Sequence, residues 1–161
     1  MARLLLDDGT PAAAHLSERL TTAPVIWLAT VDGHGRPHAV PVWFVWADPR
    51  IAMFTPAGTA KVRHVRANPA VALHLDTQDD GGRVITLSGA ATLDVPDEVD
   101  QARSAFAAKY EPALGGAPIS GWFATFDQPV TVEVERIVSW TSTPTGPDVY
   151  VVPTPASGTA R

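Results

Sequence analysis

The sequence contains no cysteine in its 161 residues. That excludes disulfide frameworks, thiol nucleophiles and zinc–thiolate centres, and it fits a reducing cytoplasm. Lysine is almost as scarce, with Lys61 and Lys109 the only two, and the single asparagine, Asn68, precedes Pro69, so no glycosylation sequon exists. No apolar stretch approaches the roughly 20 residues needed to span a bilayer. Residues 1–8 offer only three leucines ahead of two acids, which is not the pattern of a secretory signal. Neither a Gly-x-Ser-x-Gly elbow nor a Gly-x-Gly-x-x-Gly turn after a strand is present. His34 and His38 are spaced i, i+4 across an expected hairpin, and His64 and His74 have no carboxylate at ligand spacing, so neither a metal site nor a catalytic side-chain cluster is expected. Isolated histidines at turns and strand faces are the plainer reading.

Acidic residues are also missing from one stretch. The formal net charge is −5, yet residues 49–75 carry Arg50, Lys61, Arg63 and Arg66 with no Asp or Glu among them. A modestly acidic chain with one basic island is poorly suited to a nucleic-acid backbone, where many phosphates must be neutralised. A small anionic ligand suits it better.

What is present is a series of short β-rich runs punctuated by Gly, Pro and Asp, at 25–31, 38–46, 50–55, 70–76, 83–93 and 130–138. Asp32-Gly33-His34-Gly35 reads as a hairpin turn, and the first three runs read as a meander. Pro41 cannot donate to a ladder, so the second run should be interrupted, bulged or edge-exposed there. Asp48 and Pro49 close that run. Six strands suit a barrel. Helices are expected near 16–21, at 59–67, from an Asp94 cap and Pro96 opening to Lys109 with Val99, Ala102 and Phe106 on one face, and at 120–126. The expected organisation is an N-terminal helix or arm over 1–22, a barrel domain over 23–140, and a flexible tail over 141–161 in which only Tyr150-Val151-Val152 docks.

Phe54 to Arg66 combines a strand end, a Gly58 turn and a helix start. Free N–H groups, the positive end of the helix dipole and the Lys61 ammonium together suit a phosphate. Lys61 and Arg63 should lie closest to it; Arg66, one turn on, is either a contact or a surface residue. A solvated helix with basic residues on its outer face is the plain alternative, but it leaves the lack of acidic counterions unexplained. Trp27, Trp43 and Trp46 lie on adjoining strands and suit core packing first, a platform for a flat ring second.

The strand Val40-Pro41-Val42-Trp43-Phe44, the run Gly58-Thr59-Ala60-Lys61-Val62-Arg63-His64-Val65-Arg66-Ala67-Asn68-Pro69 and the strand over 84–93 resemble the split β-barrel flavin and deazaflavin oxidoreductases, the pyridoxamine 5′-phosphate oxidase-like family. Within that family the chain looks like the actinobacterial branch that uses coenzyme F420. The resemblance implies a mainly β (α+β) fold, a six-stranded antiparallel split β-barrel of the FMN-binding-protein type, forming a homodimer with a cofactor in each of two clefts between subunits. It implies that the ring lies against Val40, Pro41, Val42 and Trp43, that Thr59, Ala60, Lys61 and Arg63 hold the phosphate with Arg66 nearby, and that Thr55 lines the phosphate loop. Coenzyme F420 is the implied cofactor, with FMN as alternative, and the implied activity is hydride transfer to an electron-poor small molecule such as an enone, quinone or tetrapyrrole. An FMN-dependent oxidoreductase, or a carrier with no substrate of its own, is the alternative. Residues 39–44 lack the Arg and Lys of pyridoxamine phosphate oxidases proper, and beyond Trp140 the only basic residue is Arg161, so that activity itself is not expected. His38 and Tyr110 are candidate proton donors.

Overall fold

The computed structural model describes Leu6 and residues 9–47, 49–94 and 99–152. The expected places of Asp48, of Pro96 as a helix opener, and of the outermost parts of the N-terminal arm and C-terminal tail lie outside the described residues.

Among the described residues the fold is mainly β with four α-helices. The strands are β1 (Ile26–Val31), β2 (Pro37–Val42), β3 (Val45–Ala47), β4 (Arg50–Thr55), β5 (Ala70–His74), β6 (Arg83–Leu93), β7 (Gln128–Thr143) and β8 (Gly146–Val152). The helices are α1 (Pro11–Thr22), α2 (Ala60–Ala67), α3 (Asp100–Tyr110) and α4 (Ile119–Thr125). All strands join one antiparallel sheet in the order β2-β1-β5-β6-β7-β4-β3, with β8 added on β7, curled into a half-barrel. Period-two alternation drives the curl inward: Ile26, Leu28 and Thr30 of β1 are buried while Trp27, Ala29 and Val31 are half-exposed. Leu16 and Leu20 of α1 and Val65 of α2 close the core from outside the sheet.

Eight strands replace the expected six, for two local reasons. The run 38–46 divides at Trp43–Phe44 into β2 and β3. The expected meander is therefore absent: β2 pairs only with β1, β3 pairs with β4, and the chain crosses from one end of the sheet to the other between them. Pro41 does sit on an edge strand, where its missing N–H costs no ladder bond. The second reason is the tail. Residues 141–152 are no loose segment, because β7 runs on to Thr143 and turns through Gly146 (φ 122°) into β8 with Val152 buried.

Gly89 lies where the β6–β7 register shifts, and a Cβ there would collide with the Glu133 carbonyl oxygen, so the two backbones approach through a position only glycine allows. Helix α3 begins after Val99 rather than at the expected Asp94 cap; Asp94 instead accepts from the Thr92 hydroxyl at 3.1 Å. The expected face of Val99, Ala102 and Phe106 packs into a second, aromatic cluster with Trp43, Phe54, Trp122 and Phe123, and Tyr110, not expected on that face, is buried there too. Among the described residues no helix is long and apolar enough to cross a membrane.

Candidate functional site

The basic island builds one end of a pocket. Strand β4 ends at Thr55, which is 2% exposed, and a turn closed by the Thr59 N–H on the Pro56 carbonyl (3.2 Å) leads into α2. Thr59 occupies the N-cap position in an extended conformation, but its hydroxyl makes no cap bond; it lies 3.4 Å from the Thr55 hydroxyl instead. No acidic residue stands in the first turn of α2. Lys61 Nζ donates to Thr55 Oγ1 at 2.9 Å, and among the described residues it has no carboxylate partner within ion-pair distance. Burial lowers its pKa, which is the signature of an ammonium paying desolvation without a counterion. An anion arriving there meets a positive charge with less water around it than an ordinary surface lysine has.

The opposite end is apolar. Val25, Pro41, Val42, Trp43, Phe54, Trp122 and Phe126 complete a pocket of about 350 Å³ with Thr55 and Lys61. Trp43 is stacked between Tyr110 (centroids 4.5 Å, planes 2° apart) and Trp122 (5.7 Å, 13°), and Trp122 stacks in turn on Phe126 (4.0 Å, 3°). These rings stack on one another at the apolar end of the pocket, which Trp43, Trp122 and Phe126 line.

Of the residues expected at the site, Pro41, Val42, Trp43, Thr55 and Lys61 meet around this pocket, and Thr59 reaches it through Thr55. Val40 is exposed one residue beyond the wall, and Ala60 is exposed at the start of α2. Arg63 is turned back onto the loop, Nη1 donating to the Gly58 carbonyl at 2.9 Å, and Arg66 is exposed further along α2. Neither arginine lines the pocket within this chain. Val25, Phe54, Trp122 and Phe126 were not expected there. For Trp122 and Phe126 the only sequence signal is the aromatic density of residues 122–126, and for Val25 and Phe54 it is their place in β-rich runs; neither carries information about what faces them.

The two candidate proton donors are placed elsewhere. Tyr110 Oη accepts from the Phe44 N–H (2.9 Å) and lies within donating distance of the Phe44 and Pro24 carbonyls (2.8 and 2.9 Å), and burial pushes its pKa up to about 12. Its single proton is held by backbone, so it is a structural hydroxyl. His38 Nε2 lies 3.4 Å from Asp32 Oδ2 at the hairpin, away from the pocket lining. Backbone N–H donation from Arg36, with further donation from His34 and the Arg36 side chain, holds the Asp32 carboxyl well below the usual range. The histidines are less isolated than expected: His38 packs on His64 at 4.7 Å between centroids, and the buried His64 Nδ1 shares a 2.9 Å hydrogen bond with the buried Thr30 hydroxyl. Among the described residues no cluster of three or more His, Asp or Glu side chains could hold a metal ion.

Comparison with known proteins gives these shapes a context. The family model described as pyridoxamine 5′-phosphate oxidase matches residues 12–135. Among solved structures, the chain is similar to an F420 reductase at 27% identity, covering 73% of this chain and 90% of that one with a TM-score of 0.55. It is similar in fold to a conserved hypothetical protein of Mycobacterium tuberculosis (21% identity, 80% and 83% covered, TM-score 0.66). It shares the fold also with a pyridoxamine 5′-phosphate oxidase-related, FMN-binding protein of Nostoc punctiforme (17% identity, 89% and 91% covered, TM-score 0.60). No curated protein matches the chain.

Proposed function

We propose that this chain, which belongs to the pyridoxamine 5′-phosphate oxidase family, is an oxidoreductase that binds coenzyme F420 in the pocket between β2, β4, α2 and α4 and reduces an electron-poor small molecule of enone, quinone or tetrapyrrole type. The observation that carries the reading is Lys61: a desolvated ammonium with no carboxylate partner, held by Thr55 at the mouth of a pocket whose remaining wall is apolar and aromatic. The residues present fit a ring with a phosphate-bearing tail. Lys61, the Thr55 and Thr59 hydroxyls and the first turn of α2 suit the anionic tail, while Pro41, Val42 and Trp43 suit one face of a flat ring.

A bound reduced deazaflavin supplies a hydride at its ring, so no protein nucleophile is needed. The chain contributes position and electrostatics. Lys61 would offset the tail's charge, Pro41 to Trp43 would hold the ring, and the Trp43–Trp122–Phe126 stack would keep water from the apolar end of the pocket. The preference for the deazaflavin is supported by the apolar β2 wall and by the F420 reductase relative. The FMN-binding relative supports FMN as the second reading. Pyridoxamine phosphate oxidation itself is not proposed, since residues 39–44 carry no Arg or Lys.

We further place two copies together in the assembled protein, with the edge strand β2 at the contact. All six of its residues are at least partly exposed, with Val40 36% exposed, although the strand is largely apolar. A cytoplasmic setting and an actinobacterial, deazaflavin-producing host belong to the same reading. Titration with coenzyme F420, FMN and FAD, followed by cofactor fluorescence, tests it. Tight F420 binding with turnover on an enone or quinone panel is the expected result. Tight FMN binding without F420 binding transfers the reading to FMN, and full occupancy with no turnover on that panel favours a carrier. Light scattering that finds only monomer contradicts the shared cleft.

A further inference from the structure

We infer that Lys109 and Tyr110, the last two residues of α3, are positioning residues for the ring-binding wall, acting on Trp43 through the backbone of Phe44. The inference rests on the cofactor reading above and adds residues that lie outside the pocket lining.

Where β2 ends and β3 begins, Phe44 has left the ladder, and its buried N–H and C=O need partners. Both come from α3. The Phe44 N–H donates to Tyr110 Oη at 2.9 Å, and the Phe44 carbonyl accepts from Lys109 Nζ at 3.0 Å, with Tyr110 Oη 2.8 Å away. These bonds fix the two peptide planes on either side of Phe44, the first of which it shares with Trp43. The Lys109 ammonium also stands 4.1 Å from the centroid of the Phe44 ring, a cation–π contact that holds the side chain as well.

Tyr110 does this on two sides. Its hydroxyl is 2.9 Å from the Pro24 carbonyl, and the chain neighbours of its two backbone partners, Val25 and Trp43, both line the pocket. Its ring lies flat against Trp43 at 4.5 Å. One side chain therefore sets the spacing of two wall segments and the tilt of the tryptophan between them. Burial in this corner brings Lys109 down to about 8 and takes Tyr110 up to about 12, in agreement with the packing.

The test uses full-length protein with Tyr110→Phe, Lys109→Met and Lys109→Arg, read in two ways. The first is the near-ultraviolet circular dichroism of ligand-free protein, which reports the Trp43–Trp122 stack. The second is the affinity for two ring pairs, FMN with riboflavin and coenzyme F420 with its phosphate-free chromophore. Tyr110→Phe is expected to change the aromatic band while leaving the far-ultraviolet spectrum intact, and to weaken the phosphate-bearing and phosphate-free members alike by about tenfold. The ratio within each pair should stay constant, since the anion end is untouched. Lys109→Met should do the same about threefold, and Lys109→Arg, which keeps a donor, should restore binding. Unchanged spectra and affinities, a loss confined to the phosphate-bearing ligands, or failure of Lys109→Arg to restore what Lys109→Met loses each overturns the inference. If Tyr110→Phe does not fold, the Lys109 pair decides the matter by the same criteria. Wild-type protein that binds neither ring pair overturns the cofactor reading and this inference together, whereas wild-type binding matched by every variant overturns this inference alone.

Discussion

The two ends of the pocket are built in different ways. The anion end comes from residues 55–61, a short stretch in which turn chemistry and a helix start place most of the groups, with one long-range tie from the Ala57 N–H to Asp127 Oδ1 at 3.0 Å. The aromatic end draws Val25, Trp43 and the pair Trp122 and Phe126, from α4 and its C-cap, out of three separate segments, the first two tied together by Tyr110 across 66 residues to Phe44 and 86 to Pro24. Charge is thus supplied locally and shape over long range. Local electrostatics tolerate changes in the core, whereas a wall assembled from distant segments is only as well defined as the packing between them.

Substitutions that strike one end and spare the other probe that division. Phe106→Ala, in the fully buried floor of the aromatic cluster, should have the largest effect, a loss of about 3–5 kcal/mol in denaturant unfolding. A much smaller loss would mean that α3 does not anchor the wall. Trp122→Ala removes the central ring of the stack from a half-exposed helix; ring affinity should fall about tenfold, equivalent to about 1.4 kcal/mol, with little change in melting temperature. Fluorescence titration checks the first part and calorimetry the second.

Lys109 gives the comparison a pH dependence. Burial lowers its pKa from 10.5 to about 8 in the folded protein. Across that window the unfolded chain holds a proton that the folded one lacks, so this group makes stability rise with pH from about 8 to 10.5. Urea midpoints measured across the window should rise more steeply for wild type than for Lys109→Met, and parallel curves would contradict the assignment. Smallest of all, Arg66→Ala should alter affinity by no more than about twofold, because the residue is exposed away from the pocket. A tenfold loss would show that Arg66 meets the ligand after all.

The same division explains what could be read from the sequence. The strand end, the turn and helix α2 follow from Thr55, Gly58, Thr59 and the Val62/Val65 stripe, all local signals, whereas the direction of Arg63, turned back onto the Gly58 carbonyl, does not. The edge position of β2 followed from Pro41. The division of the 38–46 run at Trp43–Phe44 did not, because Pro41 signals an interruption at its own position, whereas the break comes two residues later, where the Phe44 backbone is met by a hydroxyl and an ammonium on a helix more than 60 residues on. Composition misjudged residues 141–152 for a similar reason: Thr, Pro and Gly signal a loop, but the alternation ending in buried Val152 pairs along β7. His38 and His64 meet because His38 stands opposite Thr30 in the β1–β2 register and the Thr30 hydroxyl bonds His64 of α2, a proximity no spacing rule reports.

The central claim is that Lys61 receives the phosphate of a flavin-type cofactor. It is tested most directly by comparing how much a phosphate adds to ring affinity in wild type and in Lys61→Ala, using FMN with riboflavin and F420 with its phosphate-free chromophore. In wild type the phosphate should strengthen binding by about 10- to 150-fold, the worth of about 1.5–3 kcal/mol for a charged hydrogen bond. In Lys61→Ala that advantage should largely disappear while binding of the phosphate-free ring is unchanged. A phosphate advantage that survives the loss of Lys61 would contradict the account.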